Sequence, residues 1–221
     1  MTQHIIIADD HPLFRAALRQ AVSQAVPEAD VAEVESIKAL QAAVEQKPDA
    51  DLVLLDLNMP GAHGFSGLVF MRGQYPGLPV VVVSGTEDLQ VMRRSIDYGA
   101  SGFIPKSAPL PEITDAIQAV LEGDLWLPEG VADKLERMQT ENTDFSERLA
   151  SLTPQQFRVL GMLAEGMLNK QIAYDLDVSE ATIKAHITAV FRKLGVRNRT
   201  QAVIAIQQME LDTTGASLSG S

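Results

Sequence analysis

The chain has 221 residues, a formal net charge of −11, 46% hydrophobic residues and no cysteine. That length holds one large domain or two small ones, with ample apolar content for a buried core. Disulfides and thiolate metal sites are excluded, no apolar run approaches a membrane span, and no basic region leads into a long apolar stretch as in a secretory signal, so the expected compartment is the cytoplasm.

The first elements alternate in period. "HIIIA" (4–8) reads as a buried strand, and "PLFRAALRQAVSQAV" (12–26) places apolar residues at helical spacing. "VAEVE" (31–35) is a short strand, and "SIKALQAAVEQ" (36–46) is a helix with Ser36 as its cap. "DLVLLDL" (51–57) is a second buried strand, followed by a weaker helix, "GFSGLVFMRGQY" (64–75), softened by three glycines. "LPVVVVSG" (78–85) is the clearest strand, and "TEDLQVMRRSIDYGA" (86–100) is a helix ending at Gly99. "GFIPK" (102–106) and "PLPEITDAIQAVLEG" (109–123) are the last strand and helix of the series. Five strands alternating with five helices predict an α/β, doubly wound parallel sheet covered on both faces. Right-handed crossovers leave few other arrangements.

In such a sheet, ligands gather at the carboxyl ends of the strands. Strand one ends at Asp9 and Asp10, strand three at Asp56, strand four at Ser84, and strand five leads to Lys106. Adjacent carboxylates at the end of an apolar strand repel each other, which calls for a cation between them. Hard oxygen donors suit Mg²⁺. A nearby ammonium can neutralise a transferred phosphoryl group, a hydroxyl can hydrogen-bond it, and a carboxylate held in line can act as the nucleophile. Any one of these aspartates alone is an ordinary turn former or helix cap; their conjunction at four strand ends is the signal.

The set "ADDH", "LLDLNMPG", "VVVSG" and "GASGFIPKS" resembles the receiver domain of two-component response regulators, over residues 4–122. The resemblance implies that Asp56 is the phospho-acceptor. It implies Mg²⁺ on Asp9, Asp10, Asp56 and the backbone carbonyl of Asn58. It makes Ser84 the switch hydroxyl, Lys106 the partner of the phosphoryl group, and Phe103 the switch aromatic. Many receivers carry proline after the lysine, with a cis bond. Here Ser107 follows, so a trans bond is expected.

Residues 123–150 lose the pattern and read as a linker, with at most a helical stretch. Residues 1–150 carry a net charge of −12 and residues 151–221 a net of +1, so basic groups can gather on one face of the back part. In "LTPQQFRVLGMLAEG", Thr153 is an N-cap, Pro154 stands at N1, Gln156 completes a capping box, and Gly166 ends the helix. A short helix runs from Asn169 to about Asp175. "LDV" makes a tight turn. Ser179 then caps a third helix that reaches Leu194 and stops at Gly195. Short helix, tight turn and long helix predict a helix-turn-helix. On the long helix Ile183, Ile187, Val190 and Leu194 share one arc and pack inward. Ala181, Lys184, Ala185, Thr188 and Arg192 lie opposite, a face that fits a major groove. "RKLGVRNR" adds Arg192, Lys193, Arg197 and Arg199 for phosphate contacts, and Lys170 reaches the backbone from the preceding helix. His186 is assigned to packing.

Residues 152–209 resemble the LuxR-type helix-turn-helix domain of four helices, which makes the whole chain similar to NarL/FixJ-type response regulators. The resemblance implies base contacts from Lys184, Ala185 and Thr188, and a dimer contact from a last helix at about 200–209. The organisation is then a receiver at 1–122, a linker at 123–150, a DNA-binding domain at 151–210 and a disordered tail at 211–221. The expected partners are a cognate histidine kinase, double-stranded DNA and a second copy of the chain upon phosphorylation, with no membrane. The expected role is a regulatory switch rather than an enzyme. A phosphohydrolase using Asp56 needs a second acid two residues on, where Asn58 stands and cannot serve as a general acid. A constitutive DNA binder leaves the acidic site without a use, and a small-molecule sensor lacks a ligand-binding front domain.

Overall fold

The computed structural model describes residues 2–137 and 144–211. Its front part runs β1 (His4–Ala8), α1 (Pro12–Ala25), β2 (Asp30–Val34), α2 (Ile37–Gln46), β3 (Leu52–Asp56), α3 (Ser66–Gln74), β4 (Val80–Ser84), α4 (Leu89–Asp97), β5 (Gly102–Pro105) and α5 (Leu110–Leu121). The five strands are parallel, in the order β2-β1-β3-β4-β5. The order reverses between β1 and β3, so a crevice opens at the carboxyl ends of these two strands. No cis peptide bond occurs among the described residues, and Lys106–Ser107 is trans.

Strand alternation sends side chains to two separate cores. Ile5, Ile7, Leu52, Leu54, Val81, Val83 and Ile104 pack against Leu18 and Val22 of α1 and Ile117 of α5. Ile6, Val53, Leu55, Val80, Val82 and Phe103 face α2, α3 and α4. Element ends follow local chemistry. Ala39 N donates to Ser36 Oγ at 3.2 Å, which starts α2 where the sequence placed it. The predicted helix 86–100 begins only at Leu89, because Asp88 is its cap and accepts from Gln90 N at 2.7 Å. The predicted helix 64–75 begins at Ser66; Gly64 has a φ of 58°, outside the helical region.

The back part runs α6 (Ala132–Glu136), α7 (Asp144–Ala150), α8 (Pro154–Ala164), α9 (Asn169–Asp175), α10 (Glu180–Leu194) and α11 (Arg199–Leu211). The capping box on α8 is present: Gln156 N donates to Thr153 Oγ1 and Thr153 N to Gln156 Oε1. Ser179 caps α10 and Gly195 closes it in the left-handed conformation. Val159, Leu163, Ile172, Ala173 and Ile183 form the helix-turn-helix core.

The segment expected as a linker is docked, not free, wherever it is described. Trp126 forms a parallel bridge with Gly102 at the outer edge of β5. Arg93 donates to Leu135 O at 2.8 Å. Gln74 Nε2 donates to Ala150 O and Leu152 O at 3.2 and 2.7 Å, and Leu149 is fully buried. The rings of Phe70 on α3 and Phe157 on α8 stack at 4.2 Å. The anchoring residues are scattered among polar ones, so no helical or strand period announces them. Of the expected tail at 211–221, Leu211 ends α11 and the rest lies outside the described residues.

Candidate functional site

The carboxyl end of β1 delivers Asp9 and Asp10, and that of β3 delivers Asp56. Asp9 and Asp56 are essentially inaccessible to solvent. Two buried carboxylates need compensation, and Lys106 supplies it. Its Nζ lies 2.7 Å from Asp9 Oδ2 and 2.8 Å from Asp56 Oδ2. The position of Lys106 is set by the β5 end, where its N–H donates to Ser84 O at 2.7 Å. The ring of Phe14 lies beneath the ammonium, 5.1 Å from its centroid. Asp56 Oδ1 accepts from Asn58 N at 3.1 Å, which turns the chain directly after the strand. Ser84 is buried and its Oγ accepts from Thr86 N at 3.3 Å. Phe103 is fully buried in the core it shares with Val91 and Met92 of α4.

Oxygen and nitrogen donors of Asp9, Asp10, His11 and Asp56 all lie within 4.8 Å of one another. This concentration of anionic donors fits a divalent cation, and the arrangement as a whole fits covalent capture of a phosphoryl group on a carboxylate. The ammonium of Lys106 is already paired to the prospective nucleophile.

At the other end of the chain, α10 exposes a continuous face. Ala181, Lys184, Ala185, Thr188 and Arg192 are exposed, while Ile183, Val190 and Leu194 are buried and Ile187 and His186 are partly so. The turn before α10 is made by Asp177 with a φ of 52°. Lys170 and Arg197 are also exposed.

Residues 5–118 match the response regulator receiver domain, and residues 150–206 match the luxR family of bacterial regulatory proteins. The chain is a response regulator of the NarL/FixJ type. It is 45% identical to the "Glycerol metabolism activator" of Pseudomonas putida over 206 residues, covering 91% of this chain and 93% of that one. It is 30% identical to the "Nitrate/nitrite response regulator protein NarL" of Escherichia coli K12, covering 92% and 94%. Among solved structures, it is similar to RcsB of Salmonella enterica serovar Typhimurium bound to a promoter in the presence of phosphomimetic BeF₃⁻. That match has a TM-score of 0.57 and 27% identity, and covers 97% of this chain and 100% of that one. It is also similar to RcsB in a structure of two dimers on two parallel DNAs, with a TM-score of 0.58, 26% identity and coverage of 96% and 99%.

The response regulator brings Asp9, Asp10, Asp56 and Lys106 to one rim, with Ser84 beside it. Two of the four cations at and beyond the end of α10 make contacts other than the expected ones to phosphate. Arg199 donates from NH2 to Leu163 O at 2.9 Å, in the last turn of α8, and to Met167 O at 2.8 Å, in the loop that follows. Lys193 donates to Ser151 O at 2.6 Å. Helix ends leave carbonyls without partners, and a nearby cation is a good donor for them. Arg199→Ala should therefore destabilise the DNA-binding part by about 1.5–3 kcal/mol, the value of charge-assisted hydrogen bonds. Thermal unfolding checks this; an unchanged midpoint would return Arg199 to the surface. Sequence reasoning also passed over His11 and Arg15. Arg15 donates from NH1 to Asp9 O at 2.6 Å and pairs with Glu33, so it fixes the turn that presents both aspartates. Nothing local marks Arg15, since Glu33 is eighteen residues away. His11 adjoins the aspartate pair, and that adjacency was its one legible signal.

No helix among the described residues is long and apolar enough to cross a membrane.

Proposed function

We propose that this response regulator is a DNA-binding transcription factor whose activity is set by phosphorylation of Asp56. The observation that carries the reading is the buried Asp56 carboxylate, paired to Lys106 beside Asp9 and Asp10, in one chain with an exposed helix-turn-helix face. A cytoplasmic histidine kinase supplies the phosphoryl group. An Asp56 oxygen attacks phosphorus, the phosphorus–nitrogen bond of phosphohistidine breaks, and the imidazole leaves. Mg²⁺ fits the oxygen donors of Asp9, Asp10 and Asp56 with the Asn58 carbonyl, and when bound it neutralises charge on the transferred group. Lys106 transfers part of its pairing to the new phosphoryl oxygens, and Ser84 Oγ leaves Thr86 N to hydrogen-bond them. Phe103 repacks in response. The change biases an existing equilibrium rather than creating a new state.

The output is a homodimer on double-stranded DNA, paired through α11, with two α10 helices in successive major grooves. Lys184, Ala185 and Thr188 read bases. Lys170, Arg192 and Arg197 hold phosphates, and Arg199 supports the domain from within. Lys184→Ala should weaken specific binding by about 1–3 kcal/mol and relax selectivity at one base position. Equal affinity for all sequences before and after substitution would remove Lys184 from the reading face.

The experiment that tests the reading is capture of genomic fragments by purified protein, with and without acetyl phosphate and Mg²⁺. Fragments enriched only with the phosphodonor support the switch. The same fragments in both samples would make DNA binding constitutive.

A further inference from the structure

His11 has no part in the reading above, yet it stands inside the acidic pocket. Its Nδ1 lies 2.8 Å from Asp10 Oδ1, 3.2 Å from Asp9 Oδ1 and 3.6 Å from Asp56 Oδ2. Lys106 approaches the same nitrogen at 3.4 Å, but its closest contacts are Asp9 Oδ2 and Asp56 Oδ2. Lysine thus takes the Oδ2 side, and His11 turns to the Oδ1 atoms of the aspartate pair.

Two details separate His11 from a plain hydrogen-bond donor. Asp10 Oδ1 is shut off from solvent and has no aligned hydrogen-bond donor, although Nδ1 is its close neighbour. The aligned partner of Nδ1 is Asp9 Oδ1, which already accepts from the backbone N–H of His11 at 2.7 Å. Nδ1 and Asp10 Oδ1 stand 2.8 Å apart, at the spacing of two ligand atoms on one cation. In octahedral coordination with ligand bonds near 2.1 Å, neighbouring donors stand about 3.0 Å apart. The 2.8–3.6 Å spacings around Nδ1 bracket that edge. The His11 side chain caps no helix end; its inward turn is directed at the two aspartates.

We infer that His11 Nδ1 is a ligand in this metal centre, together with Asp10 and Asp56, and that the centre prefers first-row transition divalent cations to Mg²⁺. Imidazole nitrogen suits Mn²⁺, Co²⁺, Ni²⁺ and Zn²⁺ and adds little for Mg²⁺, which favours oxygen and water. The inference rests on the reading of the acidic pocket as a metal centre. It adds a ligand and a selectivity to that reading.

The test uses the full-length protein with Mn²⁺, Co²⁺ or Mg²⁺ alone. Pulsed EPR of the Mn²⁺-loaded protein should show coupling to a directly bound nitrogen, lost in His11→Ala. Calorimetry should show Co²⁺ binding weakened about tenfold or more in His11→Ala, with Mg²⁺ binding nearly unchanged. His11→Asn, closer in polarity, serves as a second variant, and circular dichroism verifies the fold of both. Absence of nitrogen coupling with unchanged Co²⁺ affinity would overturn the assignment. So would tighter binding of every ion in His11→Ala, which would make the imidazole a plug rather than a ligand. Asp10→Asn and Asp56→Asn separate the two levels of the argument. If neither alters binding of any ion, the pocket is not the metal centre and the underlying reading fails. If both weaken all ions while His11→Ala weakens none, only the His11 assignment fails.

Discussion

Asp56→Asn is expected to abolish covalent labelling by acetyl phosphate. The carboxamide retains the shape of the side chain but not its charge, and its electron pair is delocalised into the carbonyl. No oxygen remains that can attack phosphorus and expel acetate as the phosphorus–oxygen bond breaks. The measurement is label retained on intact protein, with peptide mapping of the wild type. Label on a residue other than Asp56 would refute the acceptor assignment. The same variant carries a second expectation. Asp9 and Asp56 are both buried and share one ammonium at 2.7 and 2.8 Å. Removing one negative charge leaves Lys106 paired with Asp9 and relieves repulsion between like charges. The thermal midpoint should therefore hold or rise. A function-destroying substitution without loss of stability separates a chemical role from a structural one.

The second large effect concerns the docking of the two parts of the chain. A Cβ on Gly73 would lie 2.5 Å from both Cβ and O of Ala150 and 2.7 Å from its Cα. Two of these are backbone atoms, so α3 and α7 must separate. Gly73→Ala should cost about 1–3 kcal/mol of docking, the range for overpacking a close contact. It also strips the support behind the Phe70–Phe157 stack and the two Gln74 hydrogen bonds. Small-angle scattering should show a larger radius, and calorimetry should show the two parts unfolding more independently than in the unaltered protein. Gly77→Ala is the control, because a Cβ there meets nothing within 4 Å. An unchanged scattering profile for Gly73→Ala would mean that this contact does not hold the parts together. The loop after Asp56 also reaches α8 directly. A Cβ on Gly161 would stand 3.7 Å from Gly61 O, five residues beyond the proposed phosphorylation site.

Much of this was legible from residue order. The strands announced themselves as short β-branched runs, and their ends located Asp9, Asp10, Asp56, Ser84 and Lys106. Ser36, Thr153, Ser179 and Gly195 marked helix boundaries because capping is local chemistry between residues three or four apart. The outward face of α10 followed from its period alone.

Other features depended on contacts that local pattern does not encode. "RKLGVRNR" reads as four equivalent cations, and only the packed structure divides them. Arg199 finds the carbonyls of Leu163 and Met167 across 36 and 32 residues, and Lys193 finds Ser151 across 42. The docking of the described residues within 123–150 was equally hidden, since Trp126, Leu135 and Leu149 anchor them without any period. The inward turn of His11 was hidden too, because it depends on where Asp56, 45 residues away, is placed by β3. By itself the sequence determined the elements on either side of 123–150, their class and the order of reactive groups, because periodicity and capping act over a few residues. The tertiary structure alone decided which charged groups are spent on carbonyls and which remain to meet a ligand, because that depends on partners far along the chain.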